Sequence, residues 1–92
     1  GEIEAAIYSH PEIKEAAVIP VPDELITNRI KAFIVPQEGI TLEATDIRGY
    51  CSEKLPHYMV PEIIEFRDIL PKTSTGKINK PALVAENGKK AD

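Results

Sequence analysis

The stretch EAAVIPVPDELITNRIKAFIV, residues 15–35, decides the fold class. It holds two apolar runs separated by a polar segment, and prolines close the first run at Pro20 and Pro22. Alternate residues of an extended chain point to opposite faces, and both runs are rich in β-branched or aromatic residues. The pattern therefore predicts two strands, Glu15–Val21 and Ile30–Val35, joined by a polar loop.

Helical patterns flank this strand pair on both sides. Before it, apolar residues at helical spacing predict a helix over Glu2–Ser9, which Pro11 ends because the residue before a proline disfavours the helical conformation. After it, a second helix is predicted over Thr41–Leu55, with Thr41 as its N-cap and Pro56 as its stop.

The C-terminal third predicts one more strand and one more helix. Apolar and charged residues alternate over Glu62–Ile69, which is typical of a half-buried strand. Ile78–Val84 is predicted to be helical, with Asn79 as its N-cap, and residues 86–92 are predicted to form a polar, frayed tail. This element order predicts an α+β fold: a small two-layer sandwich of a three-stranded sheet packed with two to three helices.

Length and composition exclude several classes of protein. The 92 residues suffice for one small core, and 42% hydrophobic residues are too many for a disordered chain. No apolar run approaches the roughly 20 residues of a membrane span, and the N-terminus lacks a signal-peptide pattern. The single cysteine, Cys51, fits a reducing compartment, so a cytoplasmic location is expected. Two histidines and one cysteine, widely spaced, predict no metal site.

Charge is distributed unevenly along the chain. Residues 1–68 hold six Lys/Arg and 13 Asp/Glu, giving −7, whereas residues 69–92 hold five Lys and two acids, giving +3. The acidic body argues against nucleic-acid binding, which requires a basic face. Lys72, Lys77 and Lys80 concentrate the positive charge, either as a solvated face or as a small anion-binding site.

The loop at residues 70–80 contains the most suggestive chemistry. It carries three hydroxyl residues, a glycine and a lysine in succession: Thr73, Ser74, Thr75, Gly76 and Lys77. Hydroxyls, backbone N–H groups near a glycine and an ammonium suit phosphate or carboxylate oxygens. The loop is not a Walker A motif, because Pro71 and Ile78 stand where that motif needs glycine and a hydroxyl residue. A surface turn is the alternative interpretation.

Other candidate residues fit structural roles. Cys51 falls on the apolar face of the second helix and is predicted to lie in the core. His10 and His57 each adjoin a proline at the end of a segment and are predicted to lie on the surface. Two residues, Tyr58 and Met59, are predicted to pack their connector against the sheet.

Several of these segments together resemble one family. Leu70–Ile78 resembles the lysine motif near the C-terminus of the AMP-forming adenylating enzymes, which include acyl-CoA synthetases, adenylation domains of nonribosomal peptide synthetases, and luciferases. Gly1–Glu4 resembles the family's Pro-x-Glu-Ile-Glu helix start, and Leu55–Pro61 resembles its Leu-Pro-x-Tyr-Met-Val-Pro connector. The strand at 31–35 also fits the family pattern, and the motifs follow in order over residues 1–85.

The resemblance implies a domain and a reaction. Residues 1–85 are expected to be the C-terminal lid of an ATP-dependent, AMP-forming acid–thiol ligase, without the family's hinge and first strand pair. Such enzymes join a carboxylic acid to ATP, release pyrophosphate, and pass the acyl group to CoA or to the phosphopantetheine arm of a carrier protein. The lid rotates between the two half-reactions against the N-terminal adenylation domain.

The resemblance also implies roles for the loop residues. Lys77 matches the lysine that enters the active site for adenylation, and Thr73, Ser74, Thr75 and Gly76 match the loop that presents it. ATP and Mg²⁺ are the expected co-substrates of the complete enzyme, with CoA or phosphopantetheine as acceptor. None of them is expected to bind this chain tightly by itself, and the isolated chain is expected to be inactive.

A second hypothesis treats the chain as a stand-alone, lid-like domain that acts as a protein-interaction module without catalysis. A reading frame extending roughly 400 residues upstream would favour the enzyme, because a nucleotide-binding domain needs that length. The acid that is activated, and the choice between CoA and a carrier protein, stay open.

Overall fold

A computed structural model describes residues 1–22 and 28–90, excluding the side chains of residues 28 and 88–90. The described residues form helices and strands in this order: α1 (Glu2–Tyr8), β1 (Ile13–Pro22), β2 (Asn28–Pro36), α2 (Ala44–Lys54), a 3₁₀ turn (His57–Met59), β3 (Ile63–Phe66) and α3 (Lys80–Lys90). The predicted loop between the first two strands falls mostly on residues 23–27, which lie outside the described residues.

The three strands form one mixed sheet in the order β1-β2-β3. β1 and β2 are antiparallel, with register pairs from Ile13↔Pro36 to Pro22↔Asn28, whereas β2 and β3 are parallel. Parallel neighbours need a crossover connection, and the segment containing α2 provides it. β2 is therefore the central strand, and its side chains contribute to both faces of the sheet.

α1 and α2 cover the first face of the sheet. The alternation along β2 directs Ala32 and Ile34 to this face, where they pack with Ile7 of α1 and with Ile47 and Cys51 of α2. All five side chains are at most 1% exposed. This cluster is larger than the hydrophobic cluster on the other face, and it positions α1 beside β1.

α3 covers the opposite face. Phe33 and Val35, the alternate residues of β2, pack there with Leu70 and with Leu83 of α3. The predicted α+β class, three-stranded sheet and three helices are confirmed. The expected two layers are the sheet and the α1/α2 pair, and α3 adds a smaller cover on the second face.

The start of α2 differs from the prediction. The N-cap is Glu43 rather than Thr41, because the Asp46 carboxylate accepts the Glu43 N–H at 2.8 Å and so fixes the first turn. Leu42 packs against the core from the chain entering the helix. The N-cap therefore lies two residues later than the hydroxyl residue suggested.

The strand boundaries also differ, and β2 runs from Asn28 to Pro36 rather than from Ile30 to Val35. β1 begins at Ile13 rather than Glu15, because Ile13 pairs with Pro36 across an irregularity in the register. β3 ends at Phe66 rather than Ile69. Beyond it Leu70 is buried on the second face while Ile69 is 75% exposed, so the chain has left the sheet before those residues.

The final helix is longer than predicted. Asn79 is confirmed as its N-cap, since its Oδ1 accepts the Ala82 N–H at 3.1 Å. The prediction ended this helix at Val84, but the structure continues it to Lys90. Glu86 contacts Arg67, directly after β3, and Asn87 contacts Lys31 of β2. The helix therefore includes residues 86–90 of the expected tail. Residues 91–92 lie outside the described residues.

Candidate functional site

The 70–80 loop forms a short hairpin that ends where α3 begins. Lys72 and Ile78 pair in an antiparallel bridge, and the Thr73 N–H donates to the Lys77 carbonyl at 2.7 Å. The Gly76 N–H donates to the Thr73 carbonyl at 2.9 Å, closing a four-residue turn. Gly76 has φ of +85°, a left-handed conformation that glycine adopts without steric cost. Glycine thus permits the turn that places Lys77 directly after it.

The loop hydroxyls support the turn itself. Thr73 Oγ1 lies 3.0 Å from Thr75 Oγ1 and accepts the Lys77 N–H at 3.3 Å. Ser74 is exposed at the tip. The predicted loop residues Thr73, Ser74, Thr75, Gly76 and Lys77 are therefore brought together, and the two threonines hold the shape of the loop.

Lys77 lines an open cleft between the hairpin, α1 and β1. Its walls include Glu4 and Tyr8 of α1, Glu15 of β1, and the two other hairpin lysines, Lys72 and Lys80. Lys72 Nζ lies 2.7 Å from Glu15 Oε2, and Lys80 Nζ lies 2.6 Å from Glu4 Oε2. Two of the three lysines that concentrate the positive charge are thus paired with carboxylates of the domain body.

Lys77 differs from these neighbours. Its side chain is exposed, and within residues 1–22 and 28–90 it makes no ion pair or side-chain hydrogen bond. Because the adjacent charges are compensated, Lys77 carries the uncompensated ammonium of this cleft. Such a group suits an anionic ligand, because no ion pair within the domain has to break before the ligand binds.

The Glu4 carboxylate is the most connected acid of the cleft. Burial raises its pKa, but the hydrogen bonds from Lys80 and from the Val18 N–H, together with the Lys80 charge, bring the pKa below its ordinary value of 4.5. The Val18 N–H donates to Glu4 Oε2 at 3.0 Å. Glu4 therefore joins α1, β1 and the start of α3 at one point, as an ionised group.

The sequence did not indicate Glu4 and Glu15 as part of this site. Glu4 lies in the first turn of a predicted helix and Glu15 at the start of a predicted strand, and neither position predicts an ion pair with the hairpin. Both meet the hairpin across more than 55 residues of sequence, and no local spacing encodes such pairing. The available signal was the uneven charge, because residues 1–68 are acidic and residues 69–92 are basic.

The remaining candidate residues have structural surroundings. Cys51 is fully buried, as predicted, and burial raises the pKa of its thiol, which favours the un-ionised form. His57 is exposed, whereas His10 is half-buried against the Tyr50 ring at 4.6 Å between centroids. The packing predicted for Tyr58 is wrong: its side chain is 75% exposed, because the 3₁₀ turn directs it away from the sheet.

The described residues contain neither a metal-binding cluster nor a membrane-spanning helix. No group of three or more His, Cys, Asp or Glu side chains in this part of the chain could hold a metal ion. Over the same residues, no helix has the length and apolarity that a membrane crossing requires.

Comparison with known proteins identifies one family. The model of the AMP-binding enzyme C-terminal domain matches residues 2–77. A probable CoA ligase, CCL11 of Humulus lupulus, is 51% identical over 81 residues, which cover 86% of this chain and 14% of that protein.

Solved structures agree with this match. An acyl-CoA synthetase of Brucella canis superposes with a TM-score of 0.92 and 32% identity, over 99% of this chain and 17% of that one. The anthranilate CoA ligase AuaEII, solved with anthranoyl-AMP, has a TM-score of 0.87 and 39% identity over 98% of this chain and 17% of that one. The chain thus spans a small fraction of the length of these relatives.

Proposed function

Since this chain belongs to the AMP-binding enzyme C-terminal domain family, we propose that it is the lid of an AMP-forming acyl-CoA synthetase and supplies Lys77 to acyl-adenylate formation. The observation that carries the proposal is the uncompensated ammonium of Lys77 at a glycine turn whose neighbouring lysines are both paired. Its relatives support the reaction class, since they are named as CoA ligases and acyl-CoA synthetases.

The proposed chemistry follows from charge. An oxygen of the acid's carboxylate attacks the α-phosphorus of ATP, the bond from that phosphorus to the bridging oxygen of the β-phosphate breaks, and pyrophosphate leaves. Both reactants are anions, so their approach is opposed electrostatically. The Lys77 ammonium, placed between them, offsets the repulsion and stabilises the negative charge that develops in the transition state. Mg²⁺ accompanies ATP as a co-substrate, and we assign no ligand for it to this chain.

The hairpin suits this role geometrically. Thr73 and Thr75 hold the turn through their own hydrogen bonds, so the loop keeps its shape without a ligand. Preorganised charge acts in catalysis because it needs no rearrangement at the moment of reaction. The long lysine side chain reaches outward from this rigid base.

The second half-reaction and the partners belong to the same proposal. The lid packs against an N-terminal adenylation domain, which carries most of the ATP and acid pocket, and rotates to allow the thiol of CoA to attack the acyl-adenylate. A carrier-protein phosphopantetheine is the alternative acceptor. The proposed site of action is the cytoplasm.

The test uses the complete enzyme that carries this domain. Lys77→Ala is expected to lower ATP–pyrophosphate exchange by on the order of 100-fold or more, because one charge-stabilising group is lost. Transfer of a synthetic acyl-adenylate to CoA is expected to change far less, since its phosphoryl chemistry is already complete. The acid used is the one giving the fastest exchange in a panel of aliphatic and aromatic carboxylic acids.

Lys54→Ala provides the matched control, because Lys54 is an exposed lysine of α2 outside the cleft. It is expected to keep both half-reactions at wild-type rates. Exchange by Lys77→Ala at a near wild-type rate would overturn the role of Lys77, and equal loss of both half-reactions would show that the residue does not act in adenylation specifically.

A further inference from the structure

The cleft that holds Lys77 also holds two glutamate–lysine pairs, one at each end of the hairpin. Lys72 immediately precedes the turn and pairs with Glu15, while Lys80 begins α3 and pairs with Glu4. Resting on the proposed function, we infer that Glu15 is a positioning residue for adenylation. Its pair with Lys72 anchors one end of the hairpin, as the Glu4–Lys80 pair does at the other end, so that Lys77 is held at a defined place and is the cleft's uncompensated cation.

The connectivity of the two pairs supports anchoring. Glu15 lies on β1, beside the buried Ala16 and Ala17, so its backbone belongs to the sheet. Lys72 lies in the bridge that forms the base of the turn. A contact of 2.7 Å between their side chains therefore links the base of the hairpin to a rigid strand. The Glu4 pair links the other end to α1 and, through the Val18 N–H, to β1.

The Glu15–Lys72 pair is expected to affect the rate of adenylation more than the stability of the fold. The Lys72 and Glu15 side chains are 36% and 24% exposed. Partly exposed pairs contribute little to folding, so losing this pair leaves the domain folded. Misplacing a catalytic group by about 1 Å can nevertheless cost up to about 100-fold in rate. A small stability effect with a larger rate effect is thus the expected signature.

The pairs also determine which cation an anion meets. With Glu15 in place, the Lys72 ammonium is compensated, and an incoming triphosphate is attracted chiefly to Lys77. Without Glu15, two uncompensated ammonium groups line one cleft. ATP then binds at least as tightly as in the wild type. Part of the bound ATP, however, contacts Lys72, which is unproductive, instead of Lys77, which is productive. This predicts a fall in kcat without a rise in KM for ATP, which a general loss of structure would not produce.

A charge exchange in the complete enzyme tests the inference. Glu15→Lys and Lys72→Glu are each expected to lower kcat of ATP–pyrophosphate exchange by about 10-fold. For Glu15→Lys the KM for ATP is expected to stay unchanged or to fall. The double variant restores an opposite-charge pair in the same place and is expected to recover kcat to within about threefold of wild type, as a coupled pair should.

Three further measurements make the outcome decisive. Thermal unfolding shows whether each variant is folded. Lys54→Glu makes the same charge change as Lys72→Glu but lies outside the cleft, and it is expected to keep the wild-type rate of exchange. If the single variants exchange at wild-type rates, or if the double variant is no better than the worse single, the positioning role is overturned. Lys77→Ala distinguishes this failure from failure of the proposed function: exchange lost in Lys77→Ala but unaffected in Glu15→Lys leaves the function standing without the positioning role.

Discussion

Two lysines of this domain lie in opposite environments. The Lys77 side chain, directly after the hairpin turn, is exposed and makes no ion pair or hydrogen bond among the described residues. Lys31, on the central strand, is only 6% exposed. Its Nζ lies 2.9 Å from Glu65, 3.3 Å from the Asn87 side-chain oxygen and 4.8 Å from the Phe33 ring centroid. The first charge is uncompensated, and the second is satisfied within the fold.

The difference shows what each charge does. An ammonium removed from water needs a compensating carboxylate and hydrogen-bond acceptors, or its burial is prohibitively costly. Lys31 meets this condition through Glu65, which also pairs with Arg67 at 3.2 Å. Arg67 reaches Glu86 of α3 at 3.0 Å, and these contacts raise the Arg67 pKa, the Glu86 hydrogen bond most of all. This network fastens α3 to the sheet, whereas Lys77 contributes no such contact.

The largest expected effect on stability comes from Lys31→Ala. Removing the ammonium leaves Glu65 with one fewer partner in a poorly solvated place, so the free energy of unfolding is expected to fall by about 2–4 kcal/mol. Urea denaturation of the 92-residue chain, followed by circular dichroism, measures it. Lys14→Ala, an exposed lysine of β1, is the control and is expected to lie within about 0.5 kcal/mol of wild type. A Lys31→Ala cost below about 1 kcal/mol would contradict a structural role for the network.

An intermediate effect is expected from Glu4→Gln, which keeps an acceptor for the Val18 N–H but removes the charge that pairs with Lys80. At pH 7 the variant is expected to be less stable by about 1 kcal/mol. The folded-state pKa of Glu4 is below 4.5, so the stabilisation is complete above that value and is lost as the pH falls through the folded pKa. Denaturation from pH 7 downward should therefore show the two proteins converging in acid. A difference that is constant with pH would show that the ion pair is not its source.

The smallest expected effect on stability comes from Lys77→Ala. Because its side chain is exposed and unpaired, the free energy of unfolding is expected to change by less than about 0.5 kcal/mol. The same urea titration measures it beside Lys31→Ala. Destabilisation above about 1 kcal/mol would mean that Lys77 supports the fold, and its loss of adenylation activity could then not be ascribed to chemistry alone.

Local patterns predicted much of the fold and part of the site. Alternation identified the central strand, and Asn79 was recognised as a cap because its side chain acts on an N–H three residues away. The Thr-Ser-Thr-Gly-Lys order of residues 73–77 was compatible with a surface turn or with an anion-binding site, and only the resemblance to the adenylating enzymes singled out Lys77. The turn itself could be predicted, because a glycine turn forms from its own residues. Where local signals competed, as between Thr41 and Glu43 at the start of α2, the packing of Leu42 and the reach of Asp46 decided the boundary.

The sequence by itself determined the α+β class and the turn at Gly76, since these depend on periodicity and backbone permissiveness, and the resemblance of its motif to one family made Lys77 the candidate residue. Only the tertiary structure decided which charges are paired. Glu4 and Glu15 lie on elements far from the hairpin in sequence, and β1 and α1 must pack before their carboxylates reach Lys80 and Lys72. The isolation of Lys77 as an uncompensated charge is therefore a property of the assembled fold, because electrostatic compensation depends on distance in space and not along the chain.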